Sequence, residues 1–459
     1  MINQFLCSRI GFLMGCALLW LATQANAQTR LGRYAGAGTP LGGTPLSLTD
    51  ALEMGLKNRF DLQGNQISLA LSDNATRKNR NAWLPELKAS GSVRYNTQLQ
   101  TTVVPAGLFS GTTEAQRIAF GTKNSTIFSL DLTQPLYRPQ AKTDLAILQN
   151  SRALTQEQNG EKQTSVKIKI AEAYLNVLLR ELQRTIAYAD EQRYNAYFAI
   201  SEGKYKLGTL LESDYLNGRL DLQNSQLTAQ KAEQDYRLAQ TTLCYELNIR
   251  TDTTLVLADR IDPSQVAGYE SEVNQPATER TAIRQAWLRQ EGYALQSRNV
   301  LNALKPTVSF YANYSTQYLQ NDFDYFTRPW SPFNYLGVQV SVPLTGRFTR
   351  KTDLNTYQLY EQQTALNLKQ TEADIANEVG KARVELGNTA RNLQSTKASL
   401  DLSTQLHQLQ QEHYRLGTRL YSQVLDTEKS LQTAEQNYLE AAYNYLVAKL
   451  NHDRALGKY

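Results

Sequence analysis

The sequence predicts an internally duplicated α+β protein in which long α-helices continue into a small β-sheet. Three observations support this prediction. The motif YKLGTLLESDYL, which begins at Tyr205, returns as YRLGTRLYSQVL at Tyr414, 209 positions later. All twelve prolines lie outside two long stretches, 140–262 and 344–459. Four segments outside these stretches alternate apolar and polar residues with the period of a β-strand. We therefore expect one structural repeat over 46–250, a linker over 251–276 and a second repeat over 277–459.

The N-terminus predicts a secretory signal peptide over residues 1–27. An apolar stretch, Ile10 to Ala22, follows Arg9 and precedes Ala25-Asn26-Ala27, the small-x-small pattern of a signal peptidase site. A lipoprotein site with acylation of Cys16 is the competing interpretation, but it leaves only a short apolar run before the cysteine. We expect a mature chain that starts at Gln28, with a linker over 28–45.

Composition excludes several classes of protein. Cleavage after residue 27 removes Cys7 and Cys16 and leaves Cys244 alone, so no intrachain disulfide can form. The formal net charge is +5, which is too mild and too dispersed to indicate binding to nucleic acid. The mean hydropathy is -0.48, and no apolar run in the body of the chain approaches the ~18 to 20 residues of a transmembrane helix. A helical inner-membrane protein is therefore excluded.

The proline-free stretches predict long helices, because proline is the residue that a helix interior tolerates least. The first could run from Gln140 to about Glu202, which is roughly 90 Å at 1.5 Å per residue. After each copy of the motif, large and small residues alternate along a seven-residue repeat typical of a coiled-coil seam. In the second copy the seam comprises Val424, Thr427, Leu431, Ala434, Tyr438, Ala441, Tyr445, Ala448, His452 and Ala455, and in the first copy Tyr215, Gly218, Leu222, Ser225, Ala229, Ala232, Tyr236, Ala239, Leu243 and Glu246. A second stripe on another face predicts neighbours on both sides and comprises Leu439, Ala442, Leu446 and Leu450. This pattern favours a wall of helices.

The alternating segments predict strands near 86–100, 125–135, 306–318 and 335–343. Each has about the 9 to 11 residues that a tilted strand needs to cross a bilayer, although a soluble sheet with one buried face would alternate in the same way. Aromatic residues in and beside the loop 319–334 resemble the girdle at a membrane interface, with a surface loop that folds on itself as the alternative. They are Tyr318, Phe323, Tyr325, Phe326, Trp330, Phe333 and Tyr335. Four strands cannot close a barrel, so a membrane protein of this kind requires several chains.

Taken in order, these features resemble the TolC-type outer-membrane efflux proteins over residues 46–457. The motifs that carry the resemblance are the opening Leu46–Leu52, the Leu84-Pro85 pair before the first strand, Tyr414–Arg419 followed by Val424-Leu-Asp426, and the closing Tyr443–Asn451 with Ala455-Leu-Gly457. The resemblance implies a homotrimer in the outer membrane of a Gram-negative bacterium. Each chain would supply four strands to a twelve-stranded transmembrane β-barrel, which continues into a long α-helical coiled-coil barrel in the periplasm.

The resemblance also implies a function and partners. The trimer would be a passive exit channel for small molecules or polypeptides in tripartite efflux or type I secretion, gated at its periplasmic end. Its partners would be a periplasmic adaptor (membrane fusion) protein, an inner-membrane transporter of RND or ABC type, and outer-membrane lipid. A periplasmic adaptor or scaffold with a long helical hairpin is the alternative, but one hairpin between compact β domains would not repeat two strand pairs. A passive porin or an adhesin is a third hypothesis.

The resemblance assigns roles to residues near the two copies of the motif. The adaptor would dock on two helical tips, near 205–214 and 414–423, through Leu207, Gly208, Thr209, Leu416, Gly417 and Thr418. Polar bonds between neighbouring tips would close the gate, through Ser213, Asp214, Tyr414 and Arg419. An acidic ring would narrow the lumen at Asp426, but Gln423 replaces the acid expected at the second such position. Ordinary solvent-exposed polar residues are the alternative for the gate and for Asp426, and the two glycines suit helix ends whatever the function.

Catalysis and metal binding have little support in the sequence. His407 and His413 are six residues apart, off the spacing that places two ligands on one helix face, and His452 lies on the coiled-coil seam. No nucleophile motif, glycine-rich phosphate loop or pair of carboxylates stands out from the helical pattern. We expect no enzyme activity, no metal site and no cofactor.

Overall fold

The structure, a computed structural model, describes residues 45–104, 116–251, 255–260, 280–344, 346–416, 418 and 421–458. The expected signal peptide and the linker after it lie outside the described residues, apart from residue 45. The same holds for most of the linker expected over 251–276.

The described residues form seven helices and six strands. The first half contains α1 (Leu48–Asn58), α2 (Phe60–Asn81), β1 (Glu86–Tyr95), β2 (Gln100–Val104), β3 (Gln116–Phe120), β4 (Asn124–Tyr137), α3 (Gln140–Lys206) and α4 (Glu212–Glu246). The second half contains α5 (Thr281–Ala303), β5 (Thr307–Gln320), β6 (Ser331–Ser341), α6 (Gly346–Arg415) and α7 (Tyr421–Ala455). At 70 residues α6 is roughly 105 Å long. Each half contains a helix, two strands of the four-stranded sheet, a long helix and a 35-residue helix in this order, and the first half contains α1 and the β2–β3 hairpin in addition.

Contacts divide the chain into two units. The described part of the first unit is 45–59 with 176–260. Here the Ser47 side chain caps α1 by accepting a bond from the Asp50 backbone N–H, and Leu46 forms a parallel bridge with Leu257. Arg59 forms an ion pair with Glu246 at the end of α4. The predicted seam of α4 is buried at Gly218, Ser225, Ala229, Ala239 and Leu243, and half-buried at its other positions.

The described part of the second unit is 60–175 with 280–458. Its core includes an α6–α7 interface, in which Leu386 and Leu393 cluster with Ala441, Ala442 and Tyr445. Every residue of the predicted α7 seam is buried or half-buried, and so is every residue of the second stripe. The alternation of large and small residues thus predicted which faces of this helix are packed.

The second unit also contains a four-stranded antiparallel sheet with the order β1-β4-β5-β6. Its strands have 10, 14, 14 and 11 residues. The register pairs Glu86 with Thr133, Tyr137 with Val308 and Thr307 with Ser341. All four strand ends that connect to helices therefore lie at the same end of the sheet.

Two details of the strands differ from the sequence expectation. The segment expected near 86–100 is divided, because β1 ends at Tyr95 and β2 begins at Gln100 to form a separate hairpin with β3. β6 begins at Ser331, before the expected 335, and includes Pro332. A proline is tolerated there because β6 is an edge strand, where a missing N–H interrupts no inner ladder.

Candidate functional site

The four-stranded sheet has one apolar face that is open to the surroundings. Residues directly opposite each other in antiparallel strands lie on the same face. The register therefore places Leu87, Val93, Phe128, Leu130, Leu336, Val338 and Val340 together. All of these are exposed, and Leu336 is 76% exposed. So many exposed apolar residues on one surface are rare in soluble monomers and indicate contact with lipid or another chain.

The opposite face is polar and is joined by hydrogen bonds. The Asn313 side-chain amide donates to Asp131 Oδ1 over 2.6 Å. Ser315 Oγ donates to Asn313 Oδ1 over 2.7 Å and lies 3.0 Å from Ser129 Oγ. Asn313 and Ser315 are both buried. The sheet thus has an apolar face that can contact lipid and a polar face that can contact water.

Four of the seven predicted interface aromatics form one cluster at the β5–β6 loop. Tyr318 is fully buried and its ring centroid lies 4.7 Å from that of Tyr325 and 5.6 Å from that of Trp330. Phe323 lies 6.3 Å from Tyr325 by the same measure. The Trp330 indole N–H donates to the Tyr325 backbone carbonyl over 3.1 Å.

The other three predicted aromatics lie outside this cluster. Phe326 is 94% exposed. Phe333 and Tyr335 pair with Ser315 and Asn313, so the register places both on the polar face. The loop folds on itself and also presents aromatic rings, so a membrane-interface role remains a prediction for all seven residues.

The first tip is the segment 207–211 between α3 and α4. Leu207 and Leu211 are strongly exposed, at 80% and 71%. Gly208 has a φ of +72°, in the left-handed region that favours glycine, and it ends the helix. The Thr209 N–H and hydroxyl each donate to the Lys204 carbonyl over 2.9 Å.

Aromatic stacking holds α3 and α4 together behind this tip. The ring centroids of Tyr205 and Tyr215 are 4.7 Å apart, and those of Phe198 and Tyr215 are 5.6 Å apart. The predicted gate residues Ser213 and Asp214 are exposed in the first turn of α4. An acid at this position also stabilises the helix through its dipole, so its presence alone does not establish a gate.

Only part of the second tip is described. Leu416 is 65% exposed, and the Thr418 N–H and hydroxyl both lie 3.0 Å from the His413 carbonyl. Gly417 and Arg419 lie outside the described residues, and Tyr414 lies in α6 without a described side chain. In α7, Gln423 is half-buried and Asp426 is exposed. Ser213 and Asp214 belong to the first unit and Tyr414 to the second, so the gate pairing stays a prediction.

A buried contact between a histidine and a glutamate behind the second tip was missed by the sequence analysis. His407 Nε2 lies 3.1 Å from Glu428 Oε2, and their side chains are 7% and 1% exposed. His407 Nδ1 is 3.4 Å from Thr427 Oγ1. One signal was available, because Glu428 directly follows the seam position Thr427, which places it at the edge of the packed face.

The described residues contain neither a membrane-spanning helix nor a cluster of metal ligands. No helix there combines the length and the apolar character that crossing a membrane requires. Among the same residues, no group of three or more histidine, cysteine, aspartate or glutamate side chains is arranged to hold a metal ion.

Comparisons with known proteins agree with this geometry. Residues 273–458 match the family model described as outer membrane efflux protein. The alkaline protease secretion protein AprF of Pseudomonas aeruginosa is 22% identical over 348 residues, which are 71% of this chain and 68% of AprF. The crystal structure of CusC, which forms a transmembrane channel, superposes with a TM-score of 0.71 and 17% identity, covering 89% of this chain and 91% of that one. The outer membrane channel CmeC of Campylobacter jejuni superposes with a TM-score of 0.70 and 15% identity, covering 89% of this chain and 85% of that one. CusC and CmeC are both described as channels.

Proposed function

We propose that the chain is an outer membrane efflux protein of the TolC type and that three copies of it form the exit channel of a tripartite efflux or type I secretion system. Such proteins lie in the outer membrane of Gram-negative bacteria with a large helical portion in the periplasm. AprF is by name a secretion protein, which is why polypeptides are included beside small molecules as cargo. The channel would conduct passively, and an inner-membrane transporter would supply the energy.

The two-faced sheet is the observation that carries this proposal. Its outer strands, β1 and β6, each have one edge without a partner among the described residues, and open edges are not tolerated within lipid. Three copies joined edge to edge would give twelve strands and leave no edge. The apolar face would then contact lipid, and the polar face with Asp131, Asn313 and Ser315 would line the lumen.

The helices support an extended periplasmic duct. Both halves of the chain supply a very long helix followed by a helix of 35 residues, as an internal duplication predicts. Exposed apolar residues remain on these helices, for example Leu220 and Leu227 on α4 and Leu402 and Leu409 on α6. Packing against the helices of neighbouring copies would remove them from water.

The two tips would form the periplasmic mouth. The exposed Leu207 and Leu416 offer apolar contacts to a periplasmic adaptor, which would connect the channel to an RND or ABC transporter. Bonds from Asp214 to Tyr414 and from Arg419 to Ser213 would hold the mouth closed, each contributing about 1 to 3 kcal/mol because a charged group takes part. Three copies of Asp426 would form one acidic ring, while Gln423 would leave a second ring neutral.

Conductance in planar bilayers tests the channel and its gate. The purified full-length protein should insert and give mostly closed channels, and Asp214→Ala should raise the open fraction. Glu212→Ala is the matched control, because Glu212 is an exposed acid in the same helical turn and its loss removes the same charge. A wild-type protein that fractionates with the soluble periplasm and never conducts would overturn the proposal in favour of a periplasmic scaffold. Equal effects of the two variants would overturn the proposed gate but not the proposed channel.

A further inference from the structure

Basic residues are concentrated where the helices join the sheet. We call the segments 77–88, 136–144, 298–305 and 346–353 the basic junction. They are brought together because all four helix-connected strand ends lie at one end of the sheet. Together they contain eleven lysines and arginines against three acids, an excess of eight positive charges, whereas the whole chain carries +5. The rest of the chain is therefore net negative, and the junction is its positive region.

Ordinary helix stabilisation explains only part of this charge. Lys78 and Arg80 lie in the last turn of α2, where a cation interacts favourably with the helix dipole. Lys142 lies in the first turn of α3, where the same dipole opposes a cation. Arg350 and Lys351 lie in the second turn of α6, where the dipole does not favour a cation. Neither helix has an acid in its first turn. These three side chains are exposed and form no ion pair within the part of the chain that the structure describes.

Exposed apolar and aromatic side chains stand beside these charges. Phe348 is 86% exposed, and Lys351 lies three residues further along α6, on the same helix face. Arg80 and Trp83 have the same three-residue spacing at the end of α2, and Trp83 is 40% exposed. Aromatic rings next to lysine and arginine are typical of the region where a protein passes from hydrocarbon to headgroups.

We propose that the basic junction binds the anionic headgroups of phospholipids in the leaflet that surrounds it. The inference rests on the proposed function, which makes this the periplasmic leaflet of the outer membrane. The charges favour phosphate groups, and the neighbouring Phe348 and Leu344 favour the start of the acyl chains.

Thermal unfolding of the full-length protein in neutral detergent tests this proposal. Increasing mole fractions of dioleoyl phosphatidylglycerol should raise the unfolding temperature to a plateau, whereas dioleoyl phosphatidylcholine should have little effect. The test variant replaces Lys142, Arg350 and Lys351 with glutamine. Each basic residue at an anionic surface is worth about five-fold in binding, so the loss of three should raise the amount of phosphatidylglycerol needed for half of the effect by about 100-fold. High salt should weaken the wild-type response in the same direction.

The matched control replaces Lys369, Lys381 and Lys397 with glutamine, which removes the same charge from exposed positions further along α6. It should respond to phosphatidylglycerol as the wild type does. An equal loss in the control, an unchanged junction variant, or an equal response to phosphatidylcholine would each overturn the proposal. So would an equal response to glycerol 3-phosphate, which carries the charge without acyl chains. Both variants should conduct in planar bilayers; absence of channels in the wild type would instead refute the proposed function.

Discussion

Replacing His407 by leucine should loosen the second tip, because it removes the imidazole that faces the buried carboxylate of Glu428. The two groups are 3.1 Å apart, and the Glu428 side chain is 1% exposed. Removing one partner of a buried polar contact typically costs about 1 to 3 kcal/mol, and more when a carboxylate loses it, so we expect about 3 kcal/mol. Leucine preserves apolar packing at this position, so the cost is chiefly electrostatic.

Hydrogen exchange measures this loss locally. A cost of about 3 kcal/mol corresponds to roughly 100-fold faster exchange if this part of the hairpin opens on its own. Peptides covering 402–412 and 424–434 should show the acceleration, while a peptide covering 307–320 in the sheet should not. His413→Gln is the control, since His413 lies on the same helix but is not buried.

A double variant separates the charge from the packing. His407→Leu combined with Glu428→Met removes both polar groups of the contact, and well-packed apolar replacements of buried polar pairs are often neutral or stabilising. The double variant should therefore exchange almost as slowly as the wild type. The reasoning is refuted if the double variant exchanges as fast as His407→Leu, or if the single variant changes exchange by less than about three-fold.

Two further predictions concern packing and pH. A Cβ at Gly91 would lie 2.8 Å from the Phe128 ring, so Gly91→Ala should destabilise the protein by about 1 to 3 kcal/mol and lower its unfolding temperature. Gly64→Ala is the control, because nothing lies within 4 Å of that position; an equal decrease in both would contradict the steric explanation. Burial lowers the pKa of His452 below its usual 6.5, outweighing the opposite effect of Asp453. As the pH falls below about 6.5, His452 becomes protonated in the unfolded chain before it does in the folded protein. The free energy of unfolding therefore decreases. The fall in unfolding temperature between pH 7.5 and 5.5 should be smaller in His452→Leu, and an unchanged slope would count against this assignment.

Regular periodicity made most of the fold predictable from the sequence. The seven-residue seam around Tyr438 and Tyr445 predicted a packed helix face, and the structure buries or half-buries every position of it. The alternation around Phe128 and Val338 predicted strands, and the register now places both residues on one apolar face. These patterns are strong because each repeats the same physical requirement many times along the chain.

Pairings between distant residues were not predictable in this way. His407 and Glu428 are 21 positions apart in sequence, on helices whose relative register no local pattern specifies. The β2–β3 hairpin was missed because its two strands have only five residues each. The gate remains a prediction for a related reason, because its closing bonds would join different units and different copies of the chain.

The number of chains in the native particle tests the central claim most directly. A single sheet with two open edges and an exposed apolar face can enter a membrane only if other strands close it. Native mass spectrometry of the detergent-extracted outer-membrane protein should give three times the mass of the mature chain. A monomeric mass for the extracted protein would contradict the twelve-stranded channel.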